Sequence, residues 1–245
     1  KPDYLCIGDD KCCSLSIIHI FLYELKIYLR ERINYNMIKM VKKRIILCLF
    51  GVVPRSIKYT YPQIKDKIID SIKRDHDLKV YVFNLNVSDI KVDGEKMNQK
   101  DCKIIDSDYF EETFQTEADK ELDEFCRNGK CVIQSINYKS ERTKNSLRVM
   151  YVEYQISKFL QKHKEEFDYA IIWSADYYPI TELNIHNDTE SVFTSDQADF
   201  LEGYTDGFYM GNIENVIKIQ QRYEILNKIL PHKGNHETIF KEGFV

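Results

Sequence analysis

The sequence predicts an α/β domain with a mostly parallel central sheet flanked by helices, and three observations carry that expectation. Arg44 to Val53 (RIILCLFGVV) and Tyr169 to Trp173 (YAIIW) are apolar without alternation, as strands covered by helices on both faces read. A stripe of isoleucines at helical spacing, Ile64, Ile68, Ile69 and Ile72, separates the first run from a third β-rich stretch, Lys79 to Val87. Strand, helix, strand in that succession is a right-handed βαβ unit, whose two strands are parallel.

A chain of 245 residues has room for one large α/β domain or two small ones. Nothing low-complexity forces a split, so the expectation is one domain, residues 37–245, preceded by an extension, residues 1–36. The net charge is only -4 and the basic residues are dispersed, so no nucleic-acid partner is expected. The 17 tyrosines and 13 phenylalanines suit a sugar-stacking surface as well as the background of a chain rich in Ile and Lys. Seven cysteines are an odd number in a large protein, and Cys48 sits inside an apolar run as a small hydrophobe. A reducing, cytoplasmic setting follows as the expectation. Cys12-Cys13 and the Cys126/Cys131 pair lack the repeated close spacing of a zinc site. No run reaches the ~20 uncharged apolar residues of a membrane helix, and Leu15 to Leu29 is broken by Glu24 and Lys26.

Because the first residue is lysine, the sequence is expected to begin inside a longer product or to carry residues from an upstream reading frame. Ile17, Ile18, Phe21, Leu22, Leu25, Tyr28 and Leu29 recur at helical spacing before Arg30, Glu31 and Arg32. Such an amphipathic helix packs on the domain, lies on a membrane surface or serves as a signal anchor. Membrane association is expected only through these residues 1–36. Met37 and Met40 precede the first strong strand and are plausible starts of the compact domain.

The first strand ends in Gly51 and then Pro54-Arg55-Ser56. Gly51 lets the backbone approach a ligand, and Arg55 with Ser56 supplies a guanidinium and a hydroxyl suited to a phosphate or a base edge. The stretch lacks the later glycines of a dinucleotide fingerprint and is not a Walker loop, so an ordinary strand-to-helix turn is the alternative. Pro62 is expected to open a helix through about Lys73. Lys79 to Val87 then places Asn84 and Asn86 near the rim that holds Arg55. Asp89 to Asp101, with Asp93-Gly94, reads as an exposed turn or short hairpin. Asp108 to Phe125 reads as a surface helix with Phe110, Phe114, Ala118, Leu122 and Phe125 on one stripe, and Cys131 to Ile136 as a brief strand. A long helix runs to about His163 with Val149, Val152, Ile156, Phe159 and Leu160 buried. Asn145 or Ser146 is its expected cap, leaving Lys144, Arg148 and free amides for an anion.

Asp176 falls just past the carboxyl end of Tyr169 to Trp173, where an open α/β sheet forms its ligand crevice. It is a candidate metal or substrate ligand, or else a turn residue before Pro179. Beyond it come a short strand at Ser191 to Thr194, a tight turn into a strand over Gly203 to Gly211 with Asp206 as a second acid, and a helix from Asn215 to Leu226. His232, His236 and Glu237 lie near the end.

The order of Phe-Gly-Val-Val-Pro-Arg-Ser, Phe-Asn-Leu-Asn, Arg-x-x-Asn-x-x-Arg, Ser-Ala-Asp and Asp-Gly-Phe-Tyr-Met-Gly resembles GT-A-type glycosyltransferases, which are Rossmann-like in fold. It is most similar to the glycosyltransferase-like proteins of giant viruses and some protists, over residues 43–240. In those enzymes an Asp-x-Asp motif at a strand end holds Mn or Mg against the diphosphate of a nucleotide sugar. Here Ser174-Ala175-Asp176 stands in that place, with serine for the first acid. The resemblance implies a metal-dependent glycosyltransferase with Asp176 as metal ligand and His236 as a possible further one. It implies Gly51, Arg55 and Asn84 lining the nucleotide pocket, Arg148 near nucleotide or phosphate and Asp206 near the acceptor, with Ser56 and Asn145, read above as candidates for a phosphate or anion, beside them. If the anomeric centre inverts, the acceptor hydroxyl needs a base, and Asp206 or Glu237 can serve. The partners it implies are a nucleotide-diphosphate sugar and a glycan, protein or small-molecule acceptor, in the host cytoplasm if the product is viral. The rivals are a nucleotidyltransferase, for which Gly-Val-Val-Pro-Arg-Ser is a poor basic loop, and a catalytically inactive GT-A-like binding module.

Overall fold

The first apolar run becomes β1, Arg44–Gly51, in which Ile45 to Phe50 are all at most 2% exposed. The computed structural model describes residues 42–87, 91–92, 95–96, 105–127, 141–186, 188, 190–195 and 207–225, and the fold is that of the unit Lys43–Val245. β2, Asp77–Asn86, lies parallel to β1 with Gly51 beside Asn84. Two residue pairs, β3 (Lys91–Val92) and β4 (Glu95–Lys96), form a separate antiparallel ladder within the stretch where an exposed turn or short hairpin is expected. β5, Tyr109–Phe114, is parallel to β2, and β6, Tyr169–Ser174, is parallel to β1 on its other side, with Phe50 beside Ser174. β7, Val192–Thr194, and β8, Phe208–Asn212, complete a six-stranded sheet in the order β5-β2-β1-β6-β8-β7.

The protein is therefore α/β, and its sheet is mixed rather than nearly all parallel. β8 runs antiparallel to both β6 and β7. β8 and not β7 takes the place beside β6, and because β8 pairs antiparallel with the strand just before it in the chain, it brings the reversed direction into the sheet.

Helices cover both faces. α1 spans Val53–Ile64 and runs on through a π-helical segment, Lys65–Asp70, and a last turn, Ser71–Lys73. Its Val53, Ile57, Ile64, Ile68, Ile69 and Ile72 pack on Ile45, Leu47 and Leu49 of β1 and Ile171 and Trp173 of β6. On the opposite face Val152, Ile156 and Leu160 of α3 (Glu141–His163) and Val216 and Ile217 of α4 (Ile213–Gln220) pack on Ile46, Cys48, Phe50, Ala170 and Ile172. Alternate residues of β1 and β6 thus meet a different helix layer on each side, which is why both strands are continuously apolar. Each buried Ile or Leu contributes about 1.5–3 kcal/mol by leaving water.

Three sequence expectations are corrected. The first helix opens at Val53, with Pro54 in its first turn, so Val52 and Val53 are not strand and Pro62 lies inside the helix. Pro62 has no N–H for the carbonyl of Lys58, and three residues later the bonding pattern widens to the π form. The front half of the expected helix at Asp108 to Phe125 is β5. Residue-by-residue pairing with β2, from Tyr81 beside Tyr109 to Asn86 beside Phe114, outweighs a helical stripe of five residues. The helix that follows, α2 (Gln115–Arg127), keeps Ala118 and Leu122 buried. Finally, α3 starts at Glu141, so Asn145 and Ser146 are interior residues rather than caps.

Among the described residues no helix is long and apolar enough to cross a membrane. The expected helix within residues 1–36, the Asp93-Gly94 turn, the strand at 131–136, Asp206, His236 and Glu237 lie outside the described residues.

Candidate functional site

β1 and β6 are neighbours that the chain reaches by opposite routes. From β1 it leaves through α1, on one face, to β2 and then β5; it returns through α3, on the other face, to β6. This reversal is the topological switch point, and in open α/β sheets the crevice at the carboxyl ends of the two strands is where ligands bind.

Each side of the crevice is fixed by local bonding. Gly51 has φ 108, a left-handed conformation that glycine adopts without strain, and it turns the chain from strand to helix. The Val53 N–H then donates to Oδ1 of Asn84 at 3.1 Å, and the Arg55 N–H donates to the Val52 carbonyl at 3.0 Å. With Pro54 between them, the N–H groups of residues 53–55 are taken or absent, so Arg55 meets a ligand with its side chain. Across the crevice, Ala175 N–H donates to the Phe50 carbonyl at 2.9 Å and Ser174 N–H to the Gly207 carbonyl at 2.7 Å. The Thr60 hydroxyl, one turn beyond Ser56, donates to the Ala175 carbonyl at 2.7 Å.

These contacts set Asp176 directly over the start of α1. Arg55 Nε donates to its Oδ1 at 3.3 Å, Arg55 Nη2 donates to Oδ2, and the Ser56 hydroxyl donates to Oδ1. Ser56 is buried, whereas the Arg55 and Asp176 side chains are 49% and 34% exposed. Partial burial lowers the Arg55 pKa from the usual arginine value, and a guanidinium starting from there stays protonated.

On the α1 face, Asp176 also borders a cleft of about 370 Å³ walled by Trp173, Tyr177, Tyr178 and Phe208, with Glu182 at its edge. Trp173 Nε1 donates to the Tyr177 carbonyl at 3.0 Å, and the Tyr177 N–H donates to the Ser174 carbonyl at 3.0 Å. The Tyr177 ring rests on Gly207: a Cβ there would stand 2.1 Å from the ring.

The structure thus brings Gly51, Arg55, Ser56 and Asp176 together. Asn84 is at the same rim but 0% exposed, holding the first turn of α1. Arg148 is 5% exposed; its Nε and Nη2 donate to Asp119 at 2.6 and 2.8 Å and its Nη1 to Asn145 at 2.7 Å, a bidentate clamp between α3 and α2. Asn86 Nδ2 reaches Glu112 of β5 at 3.5 Å. Among the described residues no group of three or more His, Cys, Asp or Glu side chains is placed to hold a metal ion. Asp176, with a guanidinium and a hydroxyl on its oxygens, does not by itself make the hard, oxygen-rich cage that Mn or Mg takes, so the described donors do not fit the cation that the resemblance implies.

Sequence reasoning missed Thr60, Tyr177, Tyr178 and Gly207. Starting the helix at Pro62 hid the fact that Ser56 and Thr60 are one turn apart on the same side of α1, and Pro54, a first-turn proline, was the signal for the true start. Compared with known proteins, the chain matches no protein-family model and no curated protein.

Proposed function

We propose that the protein is a GT-A-like glycosyltransferase, which takes the diphosphate of a nucleotide sugar at the rim of Arg55 and Asp176 and passes the sugar to an acceptor hydroxyl. One observation carries this reading: the two strands that meet at the topological switch point end in side chains that touch, a guanidinium and a carboxylate, where a ligand crevice is expected. The guanidinium suits a leaving group that gains negative charge, since such a donor stabilises the transition state more than the ground state. The neighbouring cleft, about 370 Å³, falls within the range of small-molecule sites, and its aromatic walls beside a carboxylate suit a sugar ring with its apolar faces and hydroxyl edges. Asp206 and Glu237 are the proposed bases for the acceptor hydroxyl.

A second reading, a binding module without turnover, is favoured by one feature of the site. Ser174 replaces the first acid of Asp-x-Asp, and both oxygens of Asp176 already have partners. Release of free nucleoside diphosphate from a panel of nucleotide sugars separates the two, with Asp176→Ala as control. Turnover by the wild type that is lost in the variant is expected for the transferase. Thermal stabilisation by a nucleotide without turnover in either protein supports the module. Neither turnover nor stabilisation across the panel overturns both.

A further inference from the structure

The geometry points to a role for Asp176 other than metal ligation: we propose that it is a positioning residue that presents Arg55 to a phosphate, and that the diphosphate is held without a divalent cation. This inference rests on the nucleotide-sugar reading and narrows it. The Asp-x-Asp pattern needs carboxylate oxygens free to face a cation. Here Oδ1 is shared by the Ser56 hydroxyl and Arg55 Nε, and Oδ2 takes Arg55 Nη2. The carboxylate therefore grips one edge of the guanidinium, the Nε–Nη2 edge.

A guanidinium has a second edge. Its five N–H groups form a planar fork, so the two on Nη1 and the second on Nη2 remain for another acceptor. Among the described residues nothing accepts from Arg55 Nη1, and the side chain is 49% exposed. A flexible surface arginine loses rotamer freedom when it captures an anion; one already held by a carboxylate loses less. The support beneath is layered. Ser56 is buried and holds Oδ1, and Thr60 holds the Ala175 carbonyl next to Asp176. Because Val53 and Arg55 have used their N–H groups and Pro54 has none, the open edge of Arg55 is the anion donor that residues 53–55 supply.

Trp173, the only tryptophan in the chain, borders the same cleft as Asp176 and reports binding by its fluorescence. The experiment titrates uridine, guanosine and adenosine diphosphates into the full chain in EDTA and in Mn, with wild type, Arg55→Gln, Asp176→Asn and the double variant, each first shown to melt as the wild type does. The expected result is saturable binding that EDTA leaves within about twofold. Arg55→Gln weakens it by roughly ten- to a hundredfold, as loss of a charge-assisted hydrogen bond implies. Asp176→Asn weakens it by about tenfold in the presence of Arg55 and not at all in the Arg55→Gln background, because the carboxylate acts through the arginine. Binding that appears only with Mn and vanishes in Asp176→Asn overturns the inference and leaves the nucleotide reading standing. Tighter binding by Asp176→Asn overturns it too, since removing a merely adjacent negative charge favours an anion. No response to any nucleotide in either buffer overturns the nucleotide reading itself, and the inference with it.

Discussion

Replacing Asn84 with alanine separates a residue that builds the rim from one that touches ligand. Asn84 is 0% exposed, and its Oδ1 accepts the N–H of Val53, itself 0% exposed, joining the end of β2 to the first turn of α1. Alanine leaves that N–H buried and unpaired, at a cost of about 1–3 kcal/mol, a range that overlaps the about 0.5–2 kcal/mol of a lost helix cap and extends above it. A domain of this size loses about 2–4 °C in Tm per kcal/mol, so the melting temperature should fall by roughly 2–12 °C. Arg55→Gln is the counterpart: its ion pair with Asp176 is half exposed, and such pairs contribute about 0–1 kcal/mol. Urea unfolding followed by circular dichroism, alongside nucleotide titration, should show stability lost in Asn84→Ala and affinity lost in Arg55→Gln. If Asn84→Ala unfolds like the wild type yet fails to bind, Asn84 is a ligand contact and the capping assignment is wrong.

Other substitutions probe the frame. Glu153 and Arg222 are each 1% exposed and paired, with Tyr209 donating to Glu153 at 3.0 Å, so Glu153→Ala should destabilise by about 3–5 kcal/mol in urea titrations while the triple change Glu153→Leu, Arg222→Met and Tyr209→Phe, which leaves no polar group of the cluster stranded, costs much less. Gly207→Ala should displace the Tyr177 ring and change Trp173 emission with a stability loss of about 1 kcal/mol, because a ring end can swing aside; unchanged emission would place Tyr177 elsewhere. The hydrogen bonds from Arg44 hold the Asp168 carboxyl below its ordinary 3.8. A depressed folded-state pKa stabilises above the unfolded value and is lost as pH falls through the folded one, so Asp168→Asn should be slightly less stable at neutral pH and converge with wild type in acid below about pH 4. Parallel unfolding curves at all pH values would contradict that assignment.

The sheet centre was legible because β1, β2 and β6 are strands whose burial leaves only one reading of the sequence. Where an edge strand keeps one side open, as β5 does, acids such as Glu111 and Glu112 are tolerated and the helical stripe through Phe110 and Phe114 misled. Asp176 and Arg55 were found from their places after two apolar runs, which topology then brought into contact. The partnership of Ser56 and Thr60, and the seat of Tyr177 on Gly207, depend on contacts between residues some 30 to 120 positions apart, and no local pattern encodes those. Arg148 shows the converse: its place near an expected helix start at Asn145 or Ser146 suggested an anion site, but the helix begins at Glu141, and one helical turn lets Arg148 and Asn145 bind each other beside Asp119.

The most direct measurement is a crystal structure of the protein with the nucleoside diphosphate that stabilises it most, grown in EDTA. The account expects a phosphate oxygen within about 3 Å of Arg55 Nη1, with the other edge of the guanidinium still on Asp176. A nucleotide bound away from the carboxyl ends of β1 and β6, or one that turns Arg55 off Asp176, would contradict it.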